Sequence, residues 1–532
     1  MRFRQALLFI FTLVLSGTVT AQSVYPTSSK FAGFRQNTVS VMAAAGDTVW
    51  IGPSLDYNID NGAEWYQPTN IDSISIAGGR TFSLSAKKNK LVAGLGININ
   101  SSGESVVSGF GYYLSEDSGE SWDYSPFPKD ENPDENCDSK IIPYNGSCDL
   151  EFTYGGETYF RVRNTVAQQS PPYDVDFKDN VILSASWASG LLRSTDFGQT
   201  WEKIILPPMT EDSLSPTQYY TWNSQYQGNT VVRYDPRTDF NLIGFGVLID
   251  SQGRTWFGTA GGINISENAL SAPTDSISWR HNYFKNTSNS LLGNWIVAIK
   301  EDIATGKIWM TNWVNNAQDG ERFGIVATDD GIIFEQHLIG QKINDLEIKD
   351  GVIYAAGTNG VFISKNNGQS WIKIPQIKSP NAFIKSDTEF YTVTSTSDRV
   401  WIGSGDGLIS TNDRGVTWEI TRVDFPLSGG NVYQPKAKSV DAYAYPNPFS
   451  PAIHDVIRIK YELKKQGNVH IRIFDFAMNL VRDIENNSFN NGTYEAVWDG
   501  IDGQGRKVAN GAYFYIIEMP DRSVNGKILL VE

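Results

Sequence analysis

Residues 346–357, LEIKDGVIYAAG, decide the fold. Leu346 and Ile348 alternate with Glu347 and Lys349, a polar turn follows at Asp350-Gly351, and a second apolar run through Tyr354 ends in the small residues Ala355, Ala356 and Gly357. Period-two alternation broken by a turn is the signature of two paired strands. The phrase recurs as VSVMAAAGDTVWIG around Trp50, TFSLSAKKNKLVAGLG around Val92 and VDFKDNVILSAS around Ile182. It returns as VLIDSQGRTWFGT around Trp256, VAIKEDIATGKIWMT around Trp309 and TVTSTSDRVWIGS around Trp401. The seven copies are spaced by 42, 90, 74, 53, 45 and 47 residues.

A hairpin with a greasy face cannot bury itself alone, so it must stack on copies of itself. Repeats of about 40–50 residues suit four-stranded propeller blades, with the small residues near the axis and the large aromatic between neighbours. The expectation is an all-β chain: a seven-bladed β-propeller over residues 22–425, then a small immunoglobulin-like β-sandwich over 442–532. The two long spacings read as insertions, and the stretch between Val92 and Ile182 has room for an eighth copy. Glycine is abundant at 48 residues, as tight turns between short strands require. No stretch past the leader shows helical periodicity.

A second signature follows several copies: Ser/Thr-x-Asp-x-Gly-x-Thr/Ser-Trp. It stands at Ser115, Asp117, Gly119, Ser121 and Trp122, at Ser194, Asp196, Gly198, Thr200 and Trp201, and at Thr411, Asp413, Gly415, Thr417 and Trp418. Looser copies hold Asn366 with Trp371, and Asp60 with Gly62 and Trp65. These residues resemble the Asp-box, or BNR repeat, of sialidases and other propellers. The carboxylate accepts N–H bonds across a tight turn, glycine takes the positive φ, and tryptophan packs the turn onto the blade. The resemblance implies a structural turn away from the mouth, so Asp60, Asp117, Asp196, Asn366 and Asp413 are expected to hold the fold. The phrases around Trp256 and Trp309 also resemble the periplasmic propeller repeats of two-component regulators.

Arg2, Arg4, the apolar run Ala6–Leu15 and Val19-Thr20-Ala21 read as a signal peptide over residues 1–21. No later stretch approaches the roughly 18 apolar residues of a membrane span, so a secreted or cell-surface protein is expected. Cys137 and Cys148 share one polar loop, and in an oxidising compartment they are expected to pair. The formal charge of −15, without a basic block, excludes nucleic acid as a partner.

Composition shifts at residues 426–441, which read as a linker. Beyond it stand Tyr445-Pro446-Asn447-Pro448-Phe449, then Trp498-Asp499-Gly500 with Asp502 and Gly505, then Gly511, Tyr513 and Tyr515. This segment resembles the FlgD immunoglobulin-like domain and the C-terminal sorting domains of the type IX secretion system. The resemblance implies a β-sandwich read by that machinery or used for surface attachment. Sorting tails often finish on a basic residue, whereas this chain finishes Val531-Glu532.

Chemistry is harder to place. A sialidase would carry Phe-Arg-Ile-Pro near its start, and the nearest string is Phe34-Arg35-Gln36-Asn37. Asp235 and Asp239 beside Arg233 and Arg237 read as solvated ion pairs of a surface loop. Residues 130–135, DENPDE, lack the spacing and glycine of a calcium loop, so no metal or cofactor is expected. Flat aromatic faces beside amides suit sugar rings. Tyr219, Tyr220 and Trp222 in the longer insertion, with Trp187, Trp295 and Trp313 near strand ends, are the candidate ligand residues. The expected function is binding of a glycan or envelope protein without turnover. The alternatives are a glycoside hydrolase with acids at the propeller mouth and a structural component of the envelope.

Overall fold

The computed structural model describes residues 30–31, 37–59, 64–68, 80–101, 103–131, 149–226, 229–379, 382–385, 388–423, 440–451, 454 and 456–531. The leader, Asp60, both cysteines and nearly all of the linker lie outside these residues. The chain divides into two compact units, one of residues 29–375 and 386–422, the other of 376–385 and 423–532 together with the leader.

The first unit is a β-propeller. Among the described residues, seven sheets each contain a four-stranded antiparallel meander, the first and fourth adding a fifth strand at the outer edge, and their innermost strands are neighbours in a closed cycle. Those innermost strands are Val41–Ala45, Arg80–Lys87, Pro172–Lys178, Gly244–Ile249, Trp295–Asp302, Ile343–Lys349 and Phe390–Ser395. Each copy of the repeated phrase forms the first strand pairing of one sheet: Ala43 faces Trp50, Ser85 faces Val92, Phe177 faces Ile182, and Glu347 faces Tyr354. The stretch between Val92 and Ile182 contributes a two-stranded hairpin, Leu150–Tyr154 with Glu157–Arg161. It packs with the second insertion into one aromatic cluster of Tyr154, Tyr159, Tyr220, Trp222 and Tyr234 over the third sheet.

The two sequence signatures meet between sheets. A Cβ added at Gly119 of the second sheet would lie 2.3 Å from Trp50 Cη2 of the first. The same addition at Gly368 of the sixth sheet would lie 2.8 Å from Trp309 Cη2 of the fifth. Glycine is therefore required twice at these turns, by its φ near +80° and by the ring pressed against it. Box tryptophans reach the same way: Trp122 meets Trp50 edge-on at 5.7 Å, and Trp201 stacks on Tyr112 at 4.3 Å. Trp401 of the seventh sheet meets Trp65 of the first at 6.3 Å, which carries the pattern across the join.

Inside each box the side chains form one network. Asp117 accepts from the backbone N–H of Ser121 at 2.9 Å and from its hydroxyl at 2.5 Å, while Ser115 Oγ accepts from Gly119 N. Asp196 and Asp413 repeat it with Thr200 and Thr417, and Asn366 with Ser370. Two further copies escaped the sequence pattern: Ser266 with Asn268, whose amide oxygen accepts from Ser278 N just before Trp279, ten residues on, and Thr328 with Asp330 and Gly331, which has no tryptophan.

The second unit contains a sandwich of a three-stranded sheet, Ala442–Tyr445, Ile457–Leu463 and Gly492–Trp498, and a four-stranded one. The latter holds Gly467–Phe474, Leu480–Phe489, Gly511–Glu518 and Ser523–Leu530. Between them lie Ile459, Tyr461, Val469, Ile471, Trp498, Tyr515 and Ile517. The Tyr445–Phe449 motif closes the open edge of the last strand. Phe449 N donates to Leu529 O at 2.8 Å, and Val531 N donates back to Phe449 O at 2.9 Å. The Asn447 amide accepts from Leu529 N at 2.9 Å and donates to Lys527 O at 2.9 Å, so a side chain stands in for a strand. Asn447→Ala is expected to lower the sandwich's unfolding free energy by about 1 kcal/mol, read by urea denaturation of the isolated transition.

Candidate ligand site at the propeller mouth

The site lies on the face where innermost strands begin, because in a meander that end also carries the turn between second and third strands. The box turns, joining third to fourth strands, fall on the opposite face. Six of the seven first pairings are irregular at this end, at Thr81/Ser83, Pro172/Asp174, Gly244/Gly246, Ile296/Ile299, Ile343/Asp345 and Phe390/Thr392. A bulge re-aims the side chain it holds. The residues so held include Phe82, Tyr173, Phe245, Asn344 and Tyr391.

Two candidates from the sequence come together here. Trp187 and Trp295 meet edge-on at 6.3 Å, with Phe245 5.6 Å from the first and 5.3 Å from the second, and Tyr173 5.9 Å from Phe245. Trp313 pairs across the strands with Trp295, donates to Ile343 O at 2.6 Å, and lies under Lys342 at 4.0 Å. The other three candidates lie elsewhere. Tyr220 and Trp222 are buried in the insertion cluster, while Tyr219 is 71% exposed and packs beside Tyr159. Arg233, Asp235 and Asp239 are buried, which corrects the reading of a solvated loop. Asp235 is held by both Arg233 and Arg237, and Arg233 also reaches Asp149. Asp130 forms a two-toothed pair with Arg161 rather than facing an open ion site.

Beside Trp295, between the fourth and fifth sheets, opens a cavity of about 340 Å³. Its walls are Met209, Thr210, Phe240, Ala260, Gly261, Tyr283, Asn294 and Asn315. No charged side chain is among these lining residues. Glu321, only 6% exposed, fixes the polar wall from behind: it accepts from Asn294 Nδ2 at 2.7 Å and from the backbone N–H of Asn315 and Asn316 at 2.6 and 3.1 Å. Burial pushes its carboxyl above the usual range, against those donors. Asn294 also accepts from Phe284 N at 2.8 Å, so its amide is locked in one orientation. The composition of the cavity, apolar floor and neutral amides and hydroxyls, suits a small polar ligand of modest size. None of its polar residues carried a sequence signal; Asn294 is marked only by its place before Trp295.

Below the mouth, carboxylates of the innermost strands reach sideways. An innermost strand has one edge without a partner strand, so its N–H groups need other acceptors. Asp174 accepts from its neighbour Val175 N at 2.9 Å and from Val247 N of the next sheet at 2.9 Å. Asp176 repeats this with Phe177 N and Ile249 N, both at 2.8 Å. Asp345 does so with Leu346 N at 2.9 Å and Val393 N at 2.8 Å. Lys300 answers Asp345, Glu347, Asp174 and Asp176 together, and is held well above the usual lysine range despite burial. Burial pushes Asp174 and Glu347 up to about 7. Among the described residues no cluster of His, Cys, Asp and Glu is arranged to hold a metal ion.

Residues 455–519, within the sandwich, match the FlgD Ig-like domain family. No curated protein matches the chain. Among solved structures it is similar to PorZ, a surface component of the type IX secretion system of Porphyromonas gingivalis, at 12% identity over 93% of this chain and 75% of that one, with a TM-score of 0.33. A GH74 enzyme of Niastella koreensis is similar at 12% identity, 96% and 75% coverage and a TM-score of 0.41. YCF48 of Cyanidioschyzon merolae is similar at 14%, 72% and 98%, and 0.40. Among the described residues no helix is long and apolar enough to cross a membrane.

The two sets of carboxylates set opposite slopes of stability with pH. Asp174 and Glu347, raised, contribute stability that is present below about pH 4 and lost as pH rises to about 7. In the boxes, the Ser121 hydroxyl and N–H lower Asp117, and against some burial the Thr417 hydroxyl and N–H bring Asp413 to about 2. Their contribution is present above about pH 4 and lost below it. The melting temperature of the propeller is expected to peak near pH 4–5 in a scan from about pH 2.5 to 8, and Asp174→Asn to flatten the neutral side. Lys300→Met is expected to cost about 3 kcal/mol at pH 7 and less at pH 5, where Asp174 and Glu347 are protonated.

Proposed function

We propose that the protein is an exported cell-surface propeller that binds a neutral glycan in the cavity between its fourth and fifth sheets. The observation that carries this reading is the uncharged, amide-rich lining: Asn294, Asn315, Thr210 and Tyr283 over Met209 and Phe240. A sugar offers ring faces to aromatic and apolar side chains and hydroxyls to fixed amides. Glu321 favours binding over cleavage, because both of its oxygens are engaged by Asn294 and by the backbone of Asn315 and Asn316. The axial acids are likewise engaged as acceptors for strand edges. A hydrolase needs two carboxyls directed at the glycosidic bond.

On a glycan array the purified protein is expected to retain neutral oligosaccharides, and Tyr283→Ala or Asn294→Ala to weaken that binding at least about tenfold while the retained sugar stays intact. Retention of charged glycans alone, equal binding by both variants, or cleavage of the sugar would each reject the reading.

The FlgD-type domain supports a role in export or attachment, together with the signal-peptide features of residues 1–21. Deleting residues 442–532 is expected to leave the propeller folded but absent from the cell surface, as surface proteolysis and fractionation would record. Unchanged delivery would remove that role.

A further inference from the structure

His281 lies on the fourth strand of the fourth sheet, Trp279–Asn282, and is 2% exposed. Its Nδ1 is 2.8 Å from the carbonyl oxygen of Glu211, and its Nε2 is 3.1 Å from the carbonyl oxygen of Gly261. Both partners can only accept. A neutral imidazole has one N–H, so its other nitrogen would turn a lone pair toward a carbonyl lone pair; the imidazolium alone donates to both.

The two carbonyls belong to two different segments that line the cavity. Glu211 follows Met209 and Thr210, and Gly261 follows Ala260. His281 N also donates to Asp212 O at 2.8 Å, which fixes the ring relative to the first wall, and Tyr283 follows two residues later as a further wall. We infer that His281 is a proton-operated latch, drawing the two walls of the cavity together when its ring carries both N–H bonds and freeing one wall when it carries one. The purpose of the latch, control of ligand entry, depends on the glycan-binding reading; its chemistry does not.

The charges facing the ring are Asp212 and Lys285, themselves paired at 3.3 Å, and the Tyr283 ring stands 5.5 Å away. Burial pushes the ring below its ordinary 6.5, against the two carbonyl contacts, so the latch closes only on the acidic side of that value. Two carboxyls hold other parts of the cavity and act in the opposite sense. Asp239, pushed up by burial to about 6, accepts from Met209 N at 3.0 Å and Asn241 N at 2.9 Å, and Glu321 holds Asn294 and Asn315. Each grips its donors best when ionised.

The test uses the full chain with labelled histidines, of which there are only four. The His281 ring is expected to titrate below pH 6.5 and to gain its second N–H in that titration. Amide exchange of residues 259–262, corrected for intrinsic rates, is expected to slow at least about threefold between pH 7.5 and 5. That slowing should persist in Asp239→Asn and vanish in His281→Phe. A ring that stays singly protonated to pH 4.5, or an exchange change abolished by Asp239→Asn, would overturn the latch. If His281→Phe does not fold, the titration and exchange of the unaltered protein decide. Titration with closure but without glycan retention rejects the binding reading and leaves the latch standing. Glycan retention that does not vary with pH while the ring titrates removes its control over the ligand.

Discussion

A ring of sheets holds only if each sheet offers its neighbour a surface it cannot get from itself. Here that surface is a flat aromatic pressed on a bare turn. Trp50 rests against Gly119 and Trp309 against Gly368, one sheet further along in each case. The turn is stiff because its carboxylate or amide gathers the N–H and hydroxyl of the residue four positions on. A side chain at the glycine would both strain the backbone and strike the ring, so the two signatures are two halves of one contact.

Near the axis the same problem has an electrostatic answer. Strand edges that no other strand can reach are completed by Asp174, Asp176 and Asp345, which accept from equivalent N–H groups in their own and the following sheet. Lys300 offsets their crowding. With the axis fixed in this way and the box turns fixed on the far face, the connections on the near face are left to vary. The cavity beside Trp295 is built from such connections, on a frame that does not depend on them.

The repeat and its closure were legible because alternation and turn residues are local properties of the chain. The boxes were legible where tryptophan closely followed the turn, and illegible at Ser266, where an insertion sets Ser278-Trp279 ten residues beyond Asn268, and at Thr328, where hydrogen bonds alone preserve the turn. Trp187 and Trp295 could be singled out as large rings near strand ends, but their meeting with Phe245 depends on bulges in separate sheets. Four of those bulges follow an unremarked pattern: an aromatic or polar residue set before a small or acidic one, as in Thr81-Phe82-Ser83 and Pro172-Tyr173-Asp174. The cavity itself was illegible. Glu321, His281 and Asn294 are separated in sequence, and nothing in their local spacing reveals that they support one cavity.

The two insertions that share one cluster carry a consequence for biogenesis. The Leu150–Arg161 hairpin leaves the ribosome well before Tyr220, Trp222 and Tyr234, and Tyr154 donates its hydroxyl proton to Ile277 O, later still. Its aromatic side stays uncovered until the chain about 120 residues further on is available to fold over it. Until those later residues are in place the hairpin presents a sticky surface, which a chaperone on either side of the membrane would have to shield.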